Sequence, residues 1–291
     1  MPNVLLTDAY WRKSLSALRA LSKEGLEVGV GERTALSQGL FSCYCKKRYV
    51  YPSVSLRPLE FLSWLEKIIE KEKYEVLITP EEETQLLIAK NINRFNSKIK
   101  IPITKFEKIN FVRNKLKLIL FAEKLGIPCP KFQDKAQFPM VIKPIIGAGA
   151  RGIKYINSPK EIIYDKDYLI QEYIPGDEYY GVSVIFNRKN KMRSAFVHKK
   201  LRQFPVTGGC STYAVSAKYP LLVELTEKLL SKIGWHGIAN AEFKIDSRDG
   251  FPKLMEVNPR LWGSLELAVA SGVNFPYMLY ELALTGDIKP Q

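Results

Sequence analysis

The stretch Ile238-Ala-Asn-Ala-Glu242-Phe-Lys-Ile-Asp-Ser-Arg-Asp-Gly250-Phe-Pro-Lys-Leu-Met-Glu256-Val-Asn258 decides the fold, because its register follows from the residues alone. Two apolar runs flank the turn signal Ser247-Arg-Asp-Gly250, the pattern of an antiparallel hairpin. Side chains alternate across a strand, so Ala239, Ala241, Phe243 and Ile245 face one way and Asn240, Glu242 and Lys244 the other. A turn centred near Asp249 sets Glu242 almost opposite Glu256, and Asn258, two residues on, shares the face of Glu256. Two carboxylates and an amide oxygen then converge. Carboxylates at neighbouring sites raise each other's pKa unless a cation lies between them. Hard oxygen donors at this separation suit magnesium, which completes its shell with water and substrate phosphates. The alternative is a surface hairpin whose glutamates pair with lysines, the commoner fate of a lone glutamate. Arg260, two residues beyond Asn258, is placed to hold an anion beside such a metal.

Upstream, the run Met140-Val-Ile-Lys143 leads into Pro144-Ile-Ile-Gly-Ala-Gly-Ala-Arg-Gly152. Gly147, Gly149 and Gly152 free a loop to bring backbone N–H groups against phosphate oxygens, and Lys143 adds a point charge. The loop has neither the P-loop spacing nor G-x-G-x-x-G, so a glycine-rich hairpin turn beside an incidental lysine reads the same. In Leu169-Ile-Gln-Glu-Tyr-Ile-Pro-Gly-Asp-Glu178 an apolar strand breaks at Pro175-Gly176. Such a turn could offer backbone groups to a purine edge and a carboxylate to ribose hydroxyls; simple turn chemistry is the other reading.

Further outward the chain divides into two patterns. Residues 4–7, 26–30 and 76–79 are short apolar runs, separated by helical spacing at Leu15, Leu18 and Leu21 and at Phe61, Trp64, Leu65 and Ile68. This alternation predicts a small parallel sheet with helices on its faces. Ligands approach such sheets at the carboxyl ends of strands, which makes Asp8 and Glu81, Glu82 and Glu83 candidates to line a cleft; a solvated helix start after Pro80 explains the glutamates as well. Beyond residue 103 an amphipathic helix marked by Leu118, Phe121, Ala122 and Leu125 closes at Gly126-Ile-Pro-Cys-Pro130. From Pro139 on, apolar runs at 140–143, 168–172, 181–186, 193–198, 238–245 and 253–257 are joined by tight turns and read as mostly antiparallel hairpins. The expected fold class is α/β (α+β), with domains at 1–103 and 104–291, the latter split near 175 into a small subdomain and a C-terminal one.

Composition narrows the function. The 291 residues leave room for about two domains. No apolar run approaches the roughly 18 residues that span a bilayer, and the first residues lack the features of a secretory leader, so a cytoplasmic location is expected. Four cysteines without metal spacing read as reduced and structural, and His198 and His236 are too few for a histidine-rich metal site. Any metal must sit on oxygen. The net charge of +14 is concentrated in residues 101–204, which carry +11. A basic middle fits nucleic acid, a polyanionic small molecule or a lysine-rich surface. Basic segments interleaved with exposed aromatics at a recognisable module spacing are missing, so no nucleic-acid partner is expected.

The order of these pieces carries more than any one of them. Lys115 in Asn-Lys-Leu-Lys, eleven residues before Gly-Ile-Pro-Cys-Pro, then the Lys143 strand and glycine loop, Gln-Glu-Tyr-Ile-Pro-Gly-Asp-Glu, Ala-Glu242-Phe, and Met-Glu256-Val-Asn258-Pro-Arg260 together resemble the ATP-grasp superfamily. The likeness covers roughly residues 104–285, and the region before it resembles the Rossmann-like pre-ATP-grasp domain. Carboxylate-amine ligases and carbamoyl-phosphate-synthase-like proteins are nearest in their final motif. The resemblance implies that Lys115 and Lys143 contact nucleotide phosphates beneath a lid formed by Gly147, Gly149 and Gly152. It implies adenine at the backbone of Glu172, Tyr173 and Ile174, and ribose at Glu178. Glu242, Glu256 and Asn258 would hold Mg2+ or Mn2+, with Arg260, Lys143 and Arg202 as catalytic cations; Lys199 is the alternative to Arg202. The implied reaction is Mg-ATP-dependent coupling of a small-molecule carboxylate to an amine through an acyl phosphate. Carboxyphosphate chemistry or a non-catalytic ATP-binding role is the alternative, and a homodimer stays open. Biotin-dependent relatives carry longer C-terminal regions, which argues against a biotin carboxylase.

Overall fold

The computed structural model describes residues 3–132, 138–147, 149–162, 165–206 and 208–290. The N-terminal alternation folds as β1 (Val4–Leu6), α1 (Arg12–Lys23), β2 (Val28–Glu32), β3 (Cys45–Val50), α2 (Pro58–Glu72), β4 (Val76–Ile78) and α3 (Glu82–Lys90). Its four strands form a parallel sheet in the order β3-β2-β1-β4. β1, β2 and β4 are buried throughout, as expected of parallel strands with helices on both faces. One face packs Leu5 and Leu77 against Phe61, Leu62 and Leu65 of α2. The other places Val4, Leu6 and Val30 against Leu18 and Leu21 of α1.

Helices α4 (Phe106–Arg113) and α5 (Lys115–Lys124) lead to a three-stranded antiparallel sheet of β5 (Met140–Pro144), β6 (Lys154–Ile156) and β7 (Tyr168–Glu172), ordered β6-β5-β7. Then come β8 (Tyr179–Phe186), β9 (Met192–Phe204), β10 (Cys210–Ala217), α6 (Pro220–Ile233), β11 (Gly237–Ile245), β12 (Pro252–Asn258), α7 (Leu265–Ala270) and α8 (Phe275–Thr285). These five strands make an antiparallel sheet ordered β10-β9-β8-β11-β12.

The two faces of this larger sheet have different tasks. Val182, Val184, Ala239, Ala241 and Phe243 join Leu118 and Ile119 of α5 and Leu229 and Leu230 of α6 in one core. On the opposite face Ile185, Phe196 and Ile238 meet α7 and α8, in the same apolar cluster that covers the parallel sheet. Farther along that face the residues turn polar, with Ser183, Asn240, Lys200 and Lys244 all buried. A sheet anchored by one face is free to present chemistry on the other. No helix among the described residues is long and apolar enough to cross a membrane.

Several elements lie outside the sequence reading. β3 and β10 are edge strands with mostly exposed side chains, so they lack the alternation that betrays a half-buried strand. β9 runs well past residue 198, and its added residues look loop-like because their polar side chains line a cavity instead of a core. Helices α4, α6, α7 and α8 were also unassigned, and α3 begins where the acidic run allowed a helix start.

β8 lies between β9 and β11, and at Gly181 it has no side chain to stand in the way. A Cβ there would sit 2.2 Å from Cε1 of His198 on β9. Gly181→Ala should therefore displace the His198 ring and cost about 1–3 kcal/mol. Thermal denaturation should show a melting temperature several degrees lower; an unchanged value would mean that the imidazole yields freely.

Candidate active site

The hairpin has the register the residues require. Glu242 on β11 pairs directly with Glu256 on β12, Asn240 pairs with Asn258, and a bulge follows between Glu242 and Phe243. Asn258 Nδ2 donates to Glu242 Oε1 at 3.3 Å and to Glu256 Oε1 at 3.1 Å, so one amide ties the two carboxylates together. Lysines neutralise the rest. Lys200 of β9 reaches across the strand that carries Gly181 and donates to Glu242 Oε2 at 2.5 Å. Lys115, the first residue of α5, lies 3.7 Å from Glu256 Oε2 and donates to the carbonyl of Gly147. One side chain thus joins the carboxylate pair to the glycine loop.

The charges perturb one another as this packing demands. Burial alone would raise the pKa of Glu256, but Lys115, the Asn258 amide, Lys200 and Lys143 together hold it below the usual carboxylate range. Burial pushes Lys143 down to about 8; Glu256 opposes that fall and Lys115 adds to it. Lys200 is also penalised by burial, yet its contact with Glu242 raises it above its ordinary value.

The donor set fits a hard divalent cation. Half a turn about the terminal bond of Asn258 exchanges its Nδ2 for Oδ1, after which three oxygens face one point. Among the described residues no cluster of three or more His, Cys, Asp or Glu side chains is present, so the amide has to serve as the third donor. Two carboxylates and an amide leave coordination positions for water and phosphate, the arrangement Mg2+ or Mn2+ accepts.

The cavity between the two antiparallel sheets collects most of the expected residues: Lys115, Lys143, Gly149, Glu172, Tyr173, Ile174, Glu242, Glu256, Asn258 and Arg260. Gly147 lines a small adjoining pocket with Lys115 and Glu256, and Gly152 packs against the ring of Pro144. Ala148 and Thr207, within the two glycine-bearing loops, lie outside the described residues. The Glu172 carboxylate is committed to Arg248 at 2.8 Å and to the backbone N–H of Lys131 at 2.9 Å, and the backbone N–H groups of Glu172 and Tyr173 donate to the carbonyls of Lys131 and Pro139.

Three expectations need correction. Glu178 does not line the cavity; Lys199 binds its carboxylate at 2.5 Å and the Tyr180 hydroxyl donates to it at 3.2 Å. Arg202 is exposed and borders a neighbouring cavity, while Lys200 occupies the place foreseen for it, since alternation along β9 sends Lys200 inward and Lys199 to the opposite face. The four cysteines are free thiols, but only Cys129 is buried; Cys43 is exposed, and exposed Cys210 lines the central cavity. Lys200, Lys244 and Tyr155 went unassigned although all three line that cavity. Lys200 was open to discovery, because it shares a strand face with His198 opposite the side-chain gap at Gly181.

A second cavity lies at the carboxyl ends of the parallel sheet, lined by Asp8, Glu32, Glu81, Glu83 and Arg151 among others. Asp8 accepts hydrogen bonds from the hydroxyls of Thr7, Thr84 and Tyr51 and from the backbone N–H of Glu81. Burial nevertheless pushes it up to about 6. Glu81 pairs with buried Lys13 at 2.5 Å.

Comparison with known proteins agrees with this architecture. Residues 164–291 match the family model described as ATP-grasp in the biosynthetic pathway with Ter operon. The carbamoyl phosphate synthase large chain of Pyrococcus furiosus is 23% identical over 67% of this chain and 20% of its own length. D-aspartate ligase of Enterococcus faecium is 23% identical over 50% of this chain and 40% of its own. The chain therefore spans less than half the length of either curated relative. Among solved structures, an L-amino acid ligase from Bacillus licheniformis superposes with a TM-score of 0.76 at 18% identity, covering 100% of this chain and 78% of that one. Pyruvate carboxylase of Rhizobium etli gives 0.78 at 15% identity, over 99% of this chain and 29% of that one. The chain has the ATP-grasp fold and is similar to ATP-grasp carboxylate-amine ligases.

With a pKa of about 8, Lys143 loses its proton as the pH rises through that value, and with it the charge that a phosphate contact would need. Affinity for Mg-ATP should accordingly fall above pH 8 in calorimetric titrations, and Lys143→Arg, charged throughout, should flatten the profile. A profile identical in the two proteins would remove Lys143 from the phosphate site.

Proposed function

Proceeding from an ATP-grasp fold and this likeness to carboxylate-amine ligases, we propose that the protein is a Mg-ATP-dependent ligase. It activates a small-molecule carboxylate as an acyl phosphate and couples it to an amine. The observation that carries this reading is Glu242 facing Glu256 across one hairpin, joined by Asn258 and surrounded by Lys115, Lys143, Lys200 and Arg260 in a single cavity.

A carboxylate resists amines at neutral pH because oxide is a poor leaving group. In the proposed reaction a carboxylate oxygen bonds to the γ-phosphorus of ATP as the bridging bond to the β-phosphate breaks and ADP departs. The amine then attacks the acyl carbon and inorganic phosphate leaves. Such a sequence calls for alignment and charge neutralisation more than for covalent catalysis. Glu242, Glu256 and Asn258 would hold a magnesium ion, which when bound neutralises phosphate charge. Lys115 and Lys143 approach from the small sheet and loop side, and Lys200 from β9, so a triphosphate tail would meet cations from several directions. Arg260 lines the same cavity and would meet an incoming carboxylate or the transferred phosphoryl group.

Water would destroy an acyl phosphate, so the site must close over its substrates. Gly149 and Ala150 border the cavity with φ of 67° and 59°, a left-handed conformation that glycine adopts without cost and alanine rarely does. Carboxyphosphate formation from bicarbonate would use the same first transfer, and the likeness to carbamoyl phosphate synthase makes it the second reading.

A screen of ADP and phosphate release over pooled amino acids, small carboxylates, amines and bicarbonate tests the proposal. The wild-type protein should release ADP only when an acceptor carboxylate is present. Glu256→Gln should lower turnover on the order of a hundredfold or more while preserving the melting temperature. Full activity in that variant would contradict the metal assignment, and turnover on bicarbonate alone would favour the carboxyphosphate reading.

A further inference from the structure

Lys244 lies two residues beyond Glu242 on β11, on the same face, and is only 4% exposed. Among the described residues it has no carboxylate and no hydrogen-bond acceptor. Its ammonium instead stands 5.0 Å from the ring centroid of Tyr173 and 4.9 Å from that of Tyr179, its cross-strand neighbour. Two aromatic faces stabilise a buried cation but leave its three N–H donors unsatisfied. Those donors open onto the junction of two cavities, because Lys244 borders both the carboxylate-bearing cavity and the neighbouring one that contains Asp177 and Arg202. Three nearby acids are engaged elsewhere, Asp246 with Arg248, Asp249 with Lys253 and Glu178 with Lys199, and Asp177, which shares the neighbouring cavity, makes no ion pair with Lys244.

We propose that Lys244 is a specificity-determining residue that donates to an acceptor on the base or ribose of the bound nucleotide, an inference that rests on the ATP-dependent reading above. Position selects this part of the ligand. Two residues along a strand separate Lys244 from Glu242 by about 7 Å, so it lies away from the point where the phosphates would meet the metal donors. One of its two aromatic walls is Tyr173, within the segment whose backbone borders the expected base position. A lysine only donates, so it recognises ring nitrogens, exocyclic carbonyls or ribose oxygens and gains nothing from an amino group. The tyrosine rings hold the ammonium in place before the ligand arrives, which reduces the ordering cost of binding.

Calorimetric titration of the full chain with Mg-ATP, Mg-ADP and magnesium tripolyphosphate tests the assignment, using wild type, Lys244→Met and Lys244→Arg. Removing a charged hydrogen bond to the base or ribose should weaken ATP and ADP alike by about tenfold or more. Tripolyphosphate, which lacks both groups, should bind the methionine variant within twofold of wild type, and arginine should recover part of the loss. Unchanged ATP affinity in Lys244→Met overturns the inference alone. Equal weakening of ATP and tripolyphosphate overturns it too, in favour of a phosphate contact or a general loss of structure. Failure of the wild-type protein to bind any nucleotide would overturn the ligase reading and this inference with it.

Discussion

Two carboxylates set opposite each other on adjacent strands are the constraint around which the molecule is organised. Like charges this close and partly removed from water are unfavourable unless cations answer them. Glu242 is answered by Lys200 and Glu256 by Lys115, with the Asn258 amide bridging the pair. Lys143 is buried nearby and held at a depressed pKa, so the cluster already contains the positive charge that a triphosphate needs. Here the lysines neutralise the acids directly; under the proposed function a divalent cation would take the acids and release the lysines toward phosphate oxygens. This exchange would make nucleotide and metal binding mutually reinforcing.

Much of the architecture builds that cluster. The large sheet is anchored through one face on α5 and α6, which leaves polar side chains on the other. The space over Gly181 on β8 is taken by the His198 ring, and Lys200 of β9 reaches past it to Glu242 on β11. The first residue of α5 supplies Lys115, whose ammonium lies 3.7 Å from the Glu256 carboxylate and donates to the carbonyl of Gly147. The acidic cavity at the end of the parallel sheet also includes Arg151 from the glycine loop, so the loop borders both cavities.

The central hairpin was legible because strand alternation and a short turn leave little freedom: once Asp249 marks the turn, Glu242 must face Glu256. The parallel sheet was legible for the complementary reason that strands buried on both faces are nearly continuous apolar runs. Lys200 went unread because β9 is apolar only in its first half, and the signal that could place it, the face shared with His198 opposite Gly181, requires carrying strand alternation on into a polar stretch. Arg202 and Glu178 belong to the same difficulty, since a charged residue beside a cavity can as readily pair with a neighbour as point inward. β3 and β10 escaped notice because sheet edges are polar by necessity. Lys244 had its face assigned from parity, but its tyrosine cage joins β7's end to β8 and needs three-dimensional packing to be seen.

The account stands on a divalent ion shared between the hairpin and a nucleotide's phosphates. Electron–nuclear double resonance of the protein with Mn2+ and a non-hydrolysable ATP analogue measures that arrangement directly. The account predicts phosphorus couplings from the bound phosphates, lost when both Glu242 and Glu256 are changed to glutamine. Manganese bound without phosphorus coupling, or couplings that survive the double substitution, would contradict it.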